Sequence, residues 1–488
     1  MTKPVVHITN LNLRYAEQTV LRDLNWCIYP GEHWVIGGKS GSGKSSLAQA
    51  ITKQGSTSGT VDFWFDPTLK RPAIAHYVAN WYQFTNLEGD RNFYYQQRYN
   101  KHQQNDTLTV YADLIHFGQK HHLDFSDAEP ILAALGFTNF RETQLIELSS
   151  GEHKKVQLVQ ALWLKPQVLI LDEPYTGLDK QSRRNLNAII NHIADTGTTI
   201  ILITNDPHIP NAINRFAHIK GGQLEIVDEL SNIQQDDKRT RKPLPYFLQQ
   251  APAVNHETLV ELRNVSVRYG EKVVLKHINW RVNAGEKWLL QGPNGSGKST
   301  LLSLLNGDHP QAYASDIWLF GQKRGSGESI WDIKEKIGII SPELHWYFDK
   351  NATVWHAIAS GFYDSIGWFL QVKYEEKKQI EQLLDFFDLL DDKNKLLHTL
   401  PLGKQRLALL ARTIIKNPQL LILDEPCQGL DRSQTAHFNA VVDELSAYGK
   451  TLIYVGHYES QLPSSLDHRL VLENGEVVTS EYIEESVQ

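Results

Sequence analysis

Two cysteines in 488 residues cannot build a disulfide framework. Cys27 and Cys427 stand far apart in segments with the pattern of regular structure, and both read as small buried hydrophobes in a reducing compartment. No apolar run approaches the roughly 18 residues that crossing a bilayer takes. Runs such as Val168-Leu169-Ile170-Leu171 stop at a carboxylate, so any membrane role needs a partner. The first residues, MTKPVVHITN, lack a basic stretch followed by an apolar core and a cleavage site, and the expected compartment is the cytoplasm. A net charge of −7 leaves no basic footprint of the kind nucleic-acid binders carry, so nucleic acid is not an expected partner. The 20 histidines, His121-His122 included, lack metal-ligand spacing and argue against a metalloenzyme. What is present is ordinary for a globular chain, with 41% hydrophobic and 22% charged residues and length enough for two or three domains.

The chain repeats itself. Gly38-Lys39-Ser40-Gly41-Ser42-Gly43-Lys44-Ser45 recurs as Gly292-Pro293-Asn294-Gly295-Ser296-Gly297-Lys298-Ser299, with the lysines 298 − 44 = 254 residues apart. Leu171-Asp172-Glu173-Pro174 recurs as Leu423-Asp424-Glu425-Pro426 at an offset of 424 − 172 = 252. Nearly constant offsets over a whole half mean duplication of a complete domain. Each half opens with strand-like alternation, Val5 to Tyr15 and Leu259 to Tyr269, and reaches a second strand that feeds the glycine loop. A helical pattern follows, Ser45 to Ile51 and Ser299 to Leu305. Residues 85–147 and 343–398 read as helical insertions, most clearly from Tyr374 to Leu390. The expected division is 1–227, a linker at 228–257, and 258–488. Pro243, Pro245, Pro252 and the Lys238-Arg239-Thr240-Arg241-Lys242 run give that linker a solvated character.

The repeated loops have the residues a triphosphate needs. Wrapping several negative charges requires backbone N–H groups pointed inward with no side chains in the way, which Gly38, Gly41, Gly43 and Gly292, Gly295, Gly297 permit, with Asn294 in the second loop. Lys44 and Lys298 supply the cation for the terminal phosphates. Ser45 and Ser299 supply a magnesium hydroxyl, Ser46 and Thr300 continue the helix start, and the positive end of each helix faces the anion. The apolar runs that end in Asp172-Glu173 and Asp424-Glu425 complete the pattern. Asp172 and Asp424 would hold Mg2+ through water, and Glu173 and Glu425 would polarise the attacking water. ATP and Mg2+ are therefore the expected ligands, and Mg-dependent hydrolysis to ADP and phosphate the expected reaction.

Leu148-Ser149-Ser150-Gly151-Glu152 resembles the LSGGQ signature of ATP-binding cassettes. That resemblance implies an α/β class, two tandem P-loop NTPase domains, each with a RecA-like core, an antiparallel β subdomain and a helical insertion. It also implies that the two cassettes close face to face within the chain, each signature touching the ATP held by the other. Tyr15 and Tyr269, each 29 residues before its lysine (44 − 15 and 298 − 269), match the family aromatic that stacks on adenine, although a tyrosine closing a strand is as easily a core residue. Gly177-Leu178-Asp179 and Gly429-Leu430-Asp431 resemble the loop through which cassettes sense each other. More specific strings in the second half, Gly307-Asp308-His309-Pro310-Gln311, Arg324 to Lys334 and Ser360 to Gly367, resemble ModF-type tandem cassettes and imply a molybdate-related transport process.

The second copy departs from the pattern. Its signature reads Leu400-Pro401-Leu402-Gly403-Lys404, with proline for the serine and leucine for the first glycine. Losing hydrogen bonds to a charged ligand costs about 1.5–3 kcal/mol each. His457 keeps the family's switch histidine, whereas the first half has Asn205. Under crosswise pairing both losses fall on one site, leaving Glu425 and His457 opposite the intact Ser149 as the stronger catalytic set and Glu173 in the weaker one. The family's coupling glutamine is ill-defined, Gln83 being the candidate in the first half and Pro342 standing in its place in the second. Two functions stay open. One is a transport engine driving transmembrane permease subunits in trans, peripheral on the inner face of the membrane, for which Trp355, Phe362, Tyr363, Trp368 and Phe369 offer a docking face unless, as their apolar character favours, most of them are core. The other is a soluble ATP-driven switch on a ribosome, nucleic-acid or protein partner.

Overall fold

The computed structural model describes residues 3–15, 18–53, 57–69, 71–80, 107–229, 242–250, 256–269, 272–307, 309–346, 348–364, 372–456 and 461–483. These form two compact units, one from residues before 237 and one from residues after it. The first contains strands β1 (Val6–Tyr15), β2 (Gln18–Ile28), β3 (Trp34–Gly37), β4 (Thr57–Phe63), β5 (Ala75–Val78), β6 (Val168–Asp172), β7 (Thr199–Ile203), β8 (Arg215–Lys220) and β9 (Gln223–Val227). The second contains β10 (Thr258–Tyr269), β11 (Lys272–Asn283), β12 (Lys287–Gln291), β13 (Ile317–Leu319), β14 (Gln322–Lys323), β15 (Ile337–Ile340), β16 (Leu420–Asp424), β17 (Thr451–Val455), β18 (His468–Glu473) and β19 (Glu476–Tyr482).

Each unit has a six-stranded sheet, ordered β5-β6-β7-β3-β8-β9 in one and β15-β16-β17-β12-β18-β19 in the other. All neighbours are parallel except the last pair of each. Smaller antiparallel sheets, β2-β1-β4 and β11-β10-β13-β14, complete the predicted β subdomains. In β6 every residue is buried, and successive side chains face opposite ways. Val168 and Ile170 join a core with β1, β2 and the helix Lys44–Ile51, while Leu169 and Leu171 join one with the helical insertion. Leu420/Ile422 and Leu421/Leu423 repeat that division in β16. A parallel sheet covered on both faces explains why these runs are continuous rather than alternating.

Within residues 85–147 and 343–398 the described helices are Val110–His121 and Glu129–Ala134 in the first unit, and Val354–Ala359 and Tyr374–Phe386 in the second; Ser150–Leu164 and Leu402–Ile414 follow them. Two expectations need correction. The stretch read as solvated linker carries Leu244 and Leu248, both buried in the second unit's core, because an apolar pair beside a proline-fixed turn gains more from burial than from water. Lys242 of the basic run is exposed and bonds Asp385 and Asp388. Cys427 is buried, but Cys27 is only half-buried, on the outer alternation of β2. Trp355 and Phe362 are partly buried and pack against the second unit's core, as the core reading of these aromatics has it. Tyr363 is part-buried and donates its hydroxyl to Glu376. Trp368 and Phe369 lie outside the described residues. No described helix is long and apolar enough to cross a membrane.

Candidate functional site

In each sheet the chemistry-bearing loops leave the carboxyl ends of three adjacent strands, β6-β7-β3 and β16-β17-β12, the place where open α/β sheets bind ligands. The loop after β3 turns sharply, with Gly38 at φ 137°, Gly41 at 78° and Gly43 at 104°, and its copy has Gly292 at 149°, Gly295 at 78° and Gly297 at 102°. A Cβ on Gly292 would stand 2.1 Å from the Leu472 carbonyl, so the loop closes only with glycine there. Gly43 and Gly297 cap the helices Lys44–Ile51 and Lys298–Leu305 in the left-handed conformation. The first-turn residues Ser45, Ser46, Ser299 and Thr300 thereby follow the lysines on the helix start.

Both lysines are largely buried and turned back over their loops. Lys44 donates to the carbonyls of Gly38 (2.6 Å) and Lys39 (2.9 Å), and Lys298 to those of Gly292 and Pro293 (2.9 Å each). Their ammonium groups stand over the cradle that a phosphate would enter. Asp172, at the end of β6, is buried and accepts a hydrogen bond from Tyr77 Oη at 2.9 Å. Burial pushes its carboxyl above the usual range, opposed by hydrogen bonds from Ser45 and Tyr77 and by the charges of Lys154 and Lys44. The Ser45 hydroxyl and the Asp172 carboxylate thus meet at one point, which fits a magnesium ion that uses one carboxylate, one hydroxyl and phosphate oxygens. Asp424 is buried at the matching end of β16. Among the described residues no cluster of three or more histidine, cysteine, aspartate or glutamate side chains could hold a metal by itself.

The next residue is strained in both copies. Glu173 has φ 43° and Glu425 φ 44°, left-handed for a non-glycine residue, a conformation costing about 1–3 kcal/mol that is typically kept at functional sites. Burial raises the Glu173 carboxyl to about 7, against the pull of Lys44. Its Oε2 accepts from Thr204 Oγ at 3.2 Å, and Gln428 Nε2 donates to Glu425 Oε2 at 3.0 Å. One residue past Thr204, Asn205 grips the phosphate loop. Its Oδ1 accepts the Gly38 N–H and its Nδ2 donates to the Gly38 carbonyl, both at 3.1 Å. The corresponding His457 lies outside the described residues, as does Gln83.

The signatures differ in their first turn. Ser149 caps the helix Ser150–Leu164 in a reciprocal box. Its hydroxyl and its N–H each donate to Glu152 Oε2 at 2.7 Å, and its oxygen accepts from the Glu152 N–H at 3.4 Å. Gly151 is buried in that first turn. At the copied place Pro401 precedes the helix Leu402–Ile414 with no side-chain cap, and a Cβ on Gly403 would strike the Gln434 amide at 2.2 Å. Asp179 and Asp431 of the predicted sensing loops cap the helices Lys180–Asp195 and Arg432–Ala447. Tyr15 ends β1, and Tyr269 ends β10 with its hydroxyl bonded to His309.

The sequence reading misses Lys154. It is buried, donates to the carbonyls of Ala79 (2.9 Å), Asn80 (3.1 Å) and Asp172 (3.3 Å), and burial lowers it to about 7. It ties the signature helix to the ends of β5 and β6. A signal exists in the chain: at an offset of 406 − 154 = 252, the same as for the carboxylates, stands the fully buried Arg406. A buried cation repeated at a constant offset is not a solvated charge.

Known proteins resemble the chain along most of its length. The family described as ABC transporter matches residues 21–176 and 275–428. The ABC transporter ATP-binding protein ModF of Escherichia coli (strain K12) is 35% identical over 466 residues, 90% of this chain and 91% of that protein. An uncharacterized ABC transporter ATP-binding protein of Schizosaccharomyces pombe is 29% identical over 490 residues, 97% of this chain and 99% of that one. A nucleotide-free ATP-binding cassette from an ABC transporter, 22% identical, covers 47% of this chain and 92% of its own, with a TM-score of 0.41.

Proposed function

The chain belongs to the ABC transporter family as a tandem ATP-hydrolysing protein, and on that premise we propose that its two ATP sites are unequal, the second hydrolysing and the first mainly holding nucleotide. In this reading the two halves close on each other and share their sites crosswise. Lys298, Asp424, Glu425 and His457 work opposite the Ser149 signature, and Lys44, Asp172, Glu173 and Asn205 opposite Pro401. The observation that carries it is the bare start of the helix Leu402–Ile414, where Pro401 has neither hydroxyl nor N–H to offer a phosphate. One further fact supports it. Asn205 cannot take up a proton, whereas the His457 that stands at the matching place can. Magnesium bound with the nucleotide would be held by Ser45 and Asp172 in one site and by Ser299 and Asp424 in the other, and would screen the phosphate charge. Glu425→Gln should abolish most steady-state turnover while Glu173→Gln leaves much of it; the reverse order defeats the proposal.

For the partner, we propose an engine for membrane permease subunits supplied in trans, in the cytoplasm and peripheral on the membrane, with molybdate-related transport as the process its ModF-type sequence implies. The alternative, a soluble switch acting on a ribosome, nucleic-acid or protein partner, is favoured by one observation. Pro342 starts a helix directly after β15, where the family carries its coupling glutamine, and Trp355 and Phe362 pack against the core. A Glu425→Gln trap loaded with ATP and used as bait decides between them. Capture of an integral membrane protein supports the engine, and capture of partners only from the membrane-free fraction supports the switch.

A further inference from the structure

We infer that His309 and Gln311 are positioning residues, which fix Tyr269 so that its ring stacks on the purine of the nucleotide held by the Lys298 loop, a support built from a stretch that the first half lays into β4 instead. The inference rests on the reading of that loop as an ATP site and adds the device that prepares its base-binding side.

His309 is 1% exposed. Its Nδ1 accepts the Gln311 N–H at 3.2 Å, which leaves the ring proton on Nε2, and Nε2 stands 2.7 Å from Tyr269 Oη. The two rings also meet edge to face, with centroids 5.8 Å apart. The tyrosine is thus held both by its hydroxyl and by its ring face geometry. Gln311 fixes the residue before it: the side-chain Nε2 donates to the Arg268 carbonyl at 2.6 Å, and Oε1 accepts the Arg268 N–H at 3.2 Å. One short turn therefore immobilises two successive residues at the end of β10. An aromatic ring already fixed in its stacking position loses little freedom when a base arrives, and that saving appears as affinity.

The turn itself is braced. Arg324, whose side chain is fully buried, bonds Glu328 at 2.8 Å and lies 4.7 Å from the Tyr313 ring. Glu328 also accepts the N–H groups of Gly325 (2.7 Å) and Ser326 (2.9 Å). A Cβ on Gly307 would come within 3.2 Å of Ile330 and 3.4 Å of Arg324 Nη2, so the strings around 307–311 and 324–334 pack as one piece. The first unit uses the matching stretch differently. From Lys298 to Ile317, the partner of Leu262, the chain takes 317 − 298 = 19 residues, and from Lys44 to Val61, the partner of the matching Ile8, it takes 61 − 44 = 17. Where the first unit extends β4 along β1 from Thr57, the second builds the turn Pro310–Ala314 that His309 caps.

The test is calorimetric titration of the full chain carrying Lys44→Ala to silence the first loop, with MgATP and, separately, with magnesium and inorganic tripolyphosphate, which has the charge but no base. His309→Ala and Tyr269→Phe should each weaken MgATP by about three- to tenfold, leave tripolyphosphate within about twofold, and together do no more than either alone. His309→Gln, which can still donate to Tyr269 Oη, should recover most of the loss and shows that the fold survives. Equal losses for ATP and tripolyphosphate, or additive losses in the double variant, overturn the inference and make His309 a packing residue. If Tyr269→Ala leaves the preference for ATP over tripolyphosphate intact, the base sits elsewhere and the inference falls. If the Lys44→Ala chain binds neither ligand, the ATP reading of the Lys298 loop fails instead.

Discussion

Tyr175 in the first half and Tyr454 in the second are not copies of each other, yet they do the same work. At the offset of 252 Tyr175 matches Cys427 and Leu202 matches Tyr454. Tyr175 donates to Asn187 at 2.6 Å, and Tyr454 lies 3.3 Å from Asn439, the copy of Asn187. The hydroxyl lost at one position has returned from across the core, and Cys427, its thiol pushed up to about 12 by burial, fills the smaller space. Nothing comparable happens at the signature. Ser149 is a tied cap, whereas Pro401 makes no side-chain cap at its helix start. An unfilled volume or an unpaired buried hydroxyl costs stability in every molecule. The signature serine has no such replacement, which is what the proposal of a site relieved of hydrolysis expects.

This contrast can be broken in several ways. The largest effect should come from Ser149→Pro, which copies the second signature into the first. Turnover should fall on the order of a hundredfold, as when one transition-state donor is removed. The fold should survive with a cap loss of about 1 kcal/mol, since the helix Leu402–Ile414 already starts after a proline. Next, Asn205→Ala removes both of the bonds that Asn205 makes to Gly38 and leaves the one from Lys44, and release of ATP from the first loop in a filter-binding chase should quicken by about tenfold. Smaller again, Tyr175→Phe and Tyr454→Phe should each cost about 1 kcal/mol in urea unfolding with no change in turnover.

A further effect is a slope with pH. Glu173 carries a folded-state value near 7, above the 4.5 of the unfolded chain, so the folded form holds a proton that the unfolded form has released between those values. Its contribution to stability is complete below pH 4.5 and is lost as pH rises through 7. Glu173→Gln should flatten urea midpoints of the first unit across that window. An unchanged slope would show that burial does not hold a proton on Glu173.

Much of the fold and of the site is legible in the amino-acid sequence alone. The duplicated glycine loops and Asp-Glu strand ends carry their spacing in the chain itself, and both place the site at the carboxyl ends of the right strands. The departures at Pro401 and Asn205 are equally plain, because a motif read twice shows its own exceptions. Lys154 is hidden for a physical reason. A lysine on an amphipathic helix is normally solvated, and only burial against the ends of β5 and β6 turns it into a bridge. The left-handed Glu173 and Glu425 are invisible too, since a backbone conformation imposed by the strand ends leaves no mark on residue type. Leu244 and Leu248 pass for linker because the prolines around them dominate the local pattern, while the groove that receives them is built by residues more than a hundred positions later.

The central claim, that one site holds ATP while the other turns it over, is tested most directly by the nucleotide left on the protein. The wild-type chain is cycled with magnesium and ATP, desalted rapidly, and its bound nucleotide extracted and separated. Close to one unhydrolysed ATP per chain should remain, retained in Lys298→Ala and lost in Lys44→Ala. Recovery of ADP alone, or an ATP whose retention depends on Lys298 rather than Lys44, would contradict the account.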